Sequence, residues 1–108
     1  MSRARRSTTP GRWAASAFAG MLAANAVPHG AVGVVGREFP SPFASPPGRG
    51  MSPPWVNVLW SAVNIAGSRG VLDSVSPRRP GEGVAFAVGA GVMAVVLTGY
   101  FARVLRDR

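Results

Sequence analysis

The chain has no cysteine and no lysine, one histidine, one tyrosine and four acidic residues among its 108 positions. Without cysteine there is no disulfide framework, no thiolate nucleophile and no Cys-based metal site. The four acids, Glu38, Asp73, Glu82 and Asp107, lie far apart in sequence, so no carboxylate pair stands ready for acid–base work. His29, nine residues from the nearest acid, cannot hold a metal ion without partners from elsewhere. Gly30, Gly33 and Gly36 lack the spacing, and the following basic residue, of a phosphate- or dinucleotide-binding loop. This inventory points away from an enzyme and asks for no cofactor.

Charge is scarce as well. Charged residues make up 15% of the chain against 47% hydrophobic ones, where a soluble domain carries about 25% charged residues. All twelve basic residues are arginines, and the net charge is +8. A nucleic-acid-binding module would gather them on one face. Here they stand in groups beside long apolar stretches, the placement that sets membrane orientation, so no nucleic-acid partner is expected.

What the chain does contain is apolar length. Val84–Ala102 runs nineteen residues without a formal charge and is closed by Arg103, Arg106 and Arg108. As a helix it reaches about 28 Å, close to the hydrocarbon thickness of a bilayer. Trp13–Gly36 is a second uncharged stretch, of twenty-four residues. The third, Trp55–Ser68, has only fourteen, but Arg69 could snorkel and Val71–Leu72 could lengthen it. The expected fold is an all-α membrane protein with three hydrophobic helices at about 10–28, 53–72 and 82–106. A basic tail, 1–12, expected to be disordered, precedes a single helical membrane domain, 13–108, with a Pro-rich loop at 37–52 and a polar loop at 73–81.

The boundaries come from local chemistry. Thr9 reads as an N-cap with Pro10 at the first helical position, and Ser52-Pro53 repeats that signal before the middle helix. Pro28 and the glycines after it predict a kink or stop near Val27–Gly30. The loop from Arg37 to Pro54 holds six of the ten prolines together with Phe39 and Phe43, aromatics suited to the headgroup level or to packing across helix ends.

Two patterns bear on function. Small residues recur at helical spacing, Ser16, Gly20 and Ala24 in the first helix and Ala87 and Gly91 in the last, as close helix packing in lipid requires, although an Ala-rich helix also shows this by chance. In the middle helix Asn57, Ser61, Asn64 and Ser68 form one polar stripe. Lipid does not satisfy amides, so that stripe should face other helices or a cavity. With Asn25 and His29 four residues apart in the first helix, Asn57 and Asn64 make a candidate polar intramembrane face. It reads either as a polar pathway with His29 as proton acceptor or as structural interhelical hydrogen bonding.

Asn25-x2-Pro28-His29, the Phe39-Pro-Ser-Pro-Phe-Ala-Ser-Pro-Pro-Gly-Arg-Gly50 segment and Asn57-x2-Trp60-x3-Asn64 together resemble a group of small bacterial integral-membrane proteins that carries no assigned activity. The resemblance covers the middle third of the chain and implies a membrane location and no catalysis.

Charge does not choose between two and three spans, because either topology places seven arginines on one side and five on the other. The capped start and coherent stripe of the middle segment favour three. The four arginines before the first helix put the N-terminus in the cytoplasm, in the cell (inner) membrane. The reading that follows is an accessory or interaction subunit, with the lipid bilayer and either a second copy or a larger membrane protein as partners. Two alternatives stay open: a small transporter or channel-like oligomer using the Asn/His face, and an exported protein cut after Ala26, where Ala24-Asn25-Ala26 matches a signal-peptidase site.

Overall fold

The computed structural model describes residues 8–108, and the arginine-rich residues expected to be disordered at the start of the chain lie outside them. Three helices, α1 (Thr9–Val34), α2 (Pro54–Ser74) and α3 (Glu82–Arg106), carry the fold, with two short strands, β1 (Phe39–Pro40) and β2 (Met51–Ser52), in the first loop. The cap of α1 falls one residue earlier than expected: Thr8 is the N-cap and its hydroxyl accepts from the Gly11 N–H at 3.1 Å. Residues 8–12 are therefore ordered helix start rather than tail.

Helix α1 does not stop at Pro28 but continues through it to Val34. Its glycines are the reason. A Cβ on Gly30 would lie 2.7 Å from the Ser61 hydroxyl, and one on Gly33 would lie 2.8 Å from the Pro54 carbonyl. The bare backbone lets α2 approach α1 to within contact here, and that contact holds as helix a segment whose local propensity favours ending. The helix then closes at Gly36, φ +79°, with Arg37 N–H bonded to the Val32 carbonyl and Gly36 N–H to that of Gly33. This is the Schellman pattern, which a glycine in the left-handed region completes without strain.

The Pro-rich loop folds over the helix ends. Strands β1 and β2 pair antiparallel, Phe39 with Ser52 and Pro40 with Met51, and the buried Ser41 and Ser52 hydroxyls meet at 2.6 Å. Ser52 is thus held in the ladder, and the cap of α2 falls on Pro53, which has no side chain to give. Phe43 packs edge-on to Trp60, and the Tyr100 hydroxyl donates to the Gly48 carbonyl at 2.6 Å.

Helix α1 lies in the middle. It packs on α2 and on α3, whereas α2 and α3 scarcely touch. Contacts of Ser68 with Ala19 and of Ser61 with Ala26 make α2 antiparallel to α1. Those of Gly89 with Ala17 and of Phe101 with His29 make α3 parallel to it. One end of the molecule therefore gathers the start of α1, the end of α2 and the start of α3. The other gathers the Pro-rich loop and the end of α3.

Helices α1 and α3 are long and apolar enough to cross a membrane, α3 being the more apolar of the two. Helix α2 is the third helix expected, but Asn57, Ser61, Asn64 and Ser68 lower its hydropathy. Burial runs opposite to that of a water-soluble domain. Buried polar side chains include Ser16, His29, Asn57, Ser61, Asn64 and Ser68, while Phe18, Trp55, Leu59, Ile65, Val88 and Val95 are exposed.

Candidate functional site

The α1–α2 interface is built from the polar stripe. Each hydroxyl of α2 that faces α1 donates to a backbone carbonyl there, Ser61 to Ala26 at 2.7 Å and Ser68 to Ala19 at 2.8 Å. The side-chain amides alternate with them. Asn25 Nδ2 donates to Asn64 Oδ1 at 3.1 Å, and Asn64 Nδ2 turns back to the Trp60 carbonyl at 2.8 Å.

One turn further along α1, His29 Nδ1 lies 2.7 Å from Asn57 Oδ1. The surroundings fix the roles of these atoms. Asn57 Nδ2 points at three carbonyls, those of Phe39 (3.1 Å), Ser52 (3.3 Å) and Pro53 (3.4 Å). That end of the amide must be the donor, so Oδ1 accepts and His29 Nδ1 carries the proton. In the neutral ring Nε2 then keeps its lone pair. The ring is 2% exposed, edge-on to Phe39 and Phe101 at 5.5 and 5.8 Å, and those two rings lie 4.5 Å apart. The structure thus brings all four expected polar residues to one helix interface, as two separate pairs, Asn25–Asn64 and His29–Asn57. Among the described residues no carboxylate bonds to His29. Chemically the cluster can hold hydrogen bonds and present one imidazole lone pair.

The small residues divide. Ser16 and Gly20 are buried, and a Cβ on Gly20 would lie 2.0 Å from the Phe86 carbonyl. Ala24 is half-buried between α1 and α3. Ala87 and Gly91, however, are exposed, and a Cβ on Gly91 would meet nothing within 4 Å. The glycine of α3 that meets α1 is Gly89, where a Cβ would lie 2.0 Å from the Ala17 carbonyl. Positions 87 and 91 each stand two residues from it, about 200° round the helix, and so face away.

Sequence reasoning missed a second buried cluster. Arg12, 2% exposed, reaches Glu82, also 2% exposed, with Nε 2.6 Å from Oε2. Its Nη2 donates to the Val75 carbonyl and, at 2.9 Å, to that of Pro77. The Arg79 N–H completes the Glu82 carboxylate at 2.9 Å. The hydrogen bond from Arg12 first, then that from the Arg79 backbone, hold the Glu82 carboxyl below the usual carboxylate range, against the opposing effect of burial. Both residues stand just before the apolar runs, outside Trp13–Gly36 and Val84–Ala102. An acid and an arginine each opening an uncharged run is the signal that could have paired them, had α1 and α3 been known to be parallel.

No family model, no curated protein and no solved structure matches this chain.

Proposed function

We propose that the chain is a small multi-pass integral membrane protein acting as an accessory or interaction subunit, with all three helices crossing the bilayer. The observation that carries this reading is the inverted burial, polar groups paired inside and large apolar side chains outside. In water such a surface would aggregate; in lipid it is the stable arrangement. Helix α2 joins the other two because its polar stripe is spent on α1, from the level of Ala19 to that of His29. Its outward side, with Trp55, Leu59, Val63 and Ile65, is apolar.

The interaction role is supported by α3. Among the described helices it packs closely on α1 only, and little of its apolar length is buried within the molecule. The remaining face, with Val84, Val88, Gly91 and Val95, is offered to lipid, to a second copy or to a larger membrane protein. The closed His29–Asn57 and Asn25–Asn64 pairs favour structural hydrogen bonding over a polar pathway. Keeping α1 whole is part of this reading, since a cut after Ala26 would remove most of the helix on which both others pack. The inner membrane, with the arginine-rich N-terminus in the cytoplasm, is the expected setting.

Cysteine labelling tests the topology on a chain that has no cysteine of its own. Ser45→Cys and Asp107→Cys should behave alike towards a membrane-impermeant thiol reagent in intact cells. Ser74→Cys should respond in the opposite way and become equal on permeabilisation. If all three label alike, three spans are refuted. For the interaction role, Gly91→Leu should change the assembled mass in mild detergent without lowering the melting temperature. A monomer of unchanged mass in both proteins argues against it.

A further inference from the structure

Two cavities on the α1–α2 side of the molecule share a wall. The first, of about 480 Å³, is an open groove between the helices that runs from Gly30 and Ser61 to Arg69 and Leu72, with Val27 and Ile65 along it. Its two serines, Ser61 and Ser68, already give their hydroxyl protons to α1 carbonyls, so the groove presents mainly hydrocarbon. From Ser61 to Leu72 it is about 16 Å long at about 1.5 Å per residue, the depth of one leaflet's share of a hydrocarbon core about 30 Å thick. The second cavity, of about 310 Å³, is bounded by the same Arg69 and Leu72 and by Asp73, Ser76 and Arg78 at the end of α2. An apolar groove of one leaflet's depth thus opens into a polar pocket at one end of the molecule.

We propose that the two together seat one anionic phospholipid, an acyl chain in the groove and the phosphate in the pocket. Charge carries the choice of headgroup. Two arginines against one aspartate leave the pocket with positive charge in excess, which a singly anionic headgroup neutralises and a zwitterionic one does not. Arg69 bonds Asp73, Nε to Oδ1 at 3.1 Å, but both side chains are exposed, and that bond takes one of the five N–H donors of a guanidinium. Arg78 is exposed and has no acidic partner among the described residues. The Ser76 hydroxyl adds a neutral donor to the pocket. The inference rests on the membrane reading above.

The test uses full-length protein in phosphatidylcholine nanodiscs and two photoactivatable probes with the same diazirine-bearing acyl chains, a phosphatidylglycerol and a phosphatidylcholine. The wild-type chain should be labelled about fivefold more by the phosphatidylglycerol probe, the factor that one net arginine charge supplies at a lipid surface. Adducts should map to 23–31 and 61–72. Arg69→Gln combined with Arg78→Gln should bring the ratio to one or below. Asp73→Asn shifts the pocket's balance further to positive and should raise the ratio, which a merely loosened chain would not do. Arg49→Gln removes an arginine at the opposite, Pro-rich end and should leave the ratio as it is. A wild-type ratio near one, a ratio that the double variant leaves unchanged or Asp73→Asn lowers, or adducts spread over the outer face of α3 would each overturn the inference while the membrane reading stands. A chain that does not enter nanodiscs at all would overturn both.

Discussion

At the scale of single residues, Asn57 and Asn64 look interchangeable in the sequence and are not. Asn64 makes one bond to Asn25 across the interface and one within its own helix. Asn57 joins His29 to the carbonyls of Phe39, Ser52 and Pro53, tying α1, α2 and the Pro-rich loop at one point. Removing Asn64 should therefore cost about 0.6 kcal/mol, the average for an interhelical side-chain bond in a membrane protein. Asn57→Ala leaves the buried His29 N–H without its partner and takes a donor from the Phe39 and Ser52 carbonyls, and should cost about 1–3 kcal/mol. Reversible unfolding of the two variants in mixed micelles measures the difference, and equal costs would contradict this account. That the four residues share a helix interface was legible from their spacing. Their division into unequal pairs was not, because it depends on a loop whose path the prolines constrain without specifying.

At the scale of elements, two glycines in α3 two positions apart should respond in opposite ways to the same change. Gly89 meets the backbone of Ala17 where the helices cross, and Gly91 meets nothing. Gly89→Val forces α1 and α3 apart and should destabilise by about 1–3 kcal/mol, as overpacking does, while Gly91→Val should be close to neutral; thermal melts in detergent report both. Uncharged apolar length located α3 at about 82–106, where the structure has it, since such a run between a lone acid and three arginines admits little choice. It could not say which face of α3 meets α1, because small residues occur all round that helix. The opposite error befell α1, where Pro28 and three glycines read locally as a terminus. Two of those glycines, Gly30 and Gly33, are instead the surface that α2 rests on, and packing outweighed propensity. Gly33→Leu should therefore separate the ends of α1 and α2 although it raises helix propensity.

At the scale of the whole molecule, α1 is the helix on which both others pack while they scarcely touch each other, so the fold needs something to register their ends. The Arg12 cluster does this. A guanidinium at the start of α1 closes carbonyls at the end of α2, where the helix dipole favours a cation, and a carboxylate at the start of α3, where it favours an anion. Removing one partner leaves the other charge buried and unmatched, whereas removing both does not. Arg12→Met and Glu82→Met should thus each destabilise more than the double variant. The pH dependence follows from the direction of the Glu82 shift. Its pKa is lower in the folded state than in the unfolded chain, so folding gains stability above the unfolded carboxyl value and loses it as pH falls through the folded one. Acid should loosen this end first, visible as increased reactivity of Ser76→Cys, while the Pro-rich end, probed by Ser45→Cys, stays closed over the same range. Glu82→Gln should abolish the acid transition at Ser76→Cys and leave a chain already weakened at neutral pH; an unchanged transition in that variant would assign the acid sensitivity to another group.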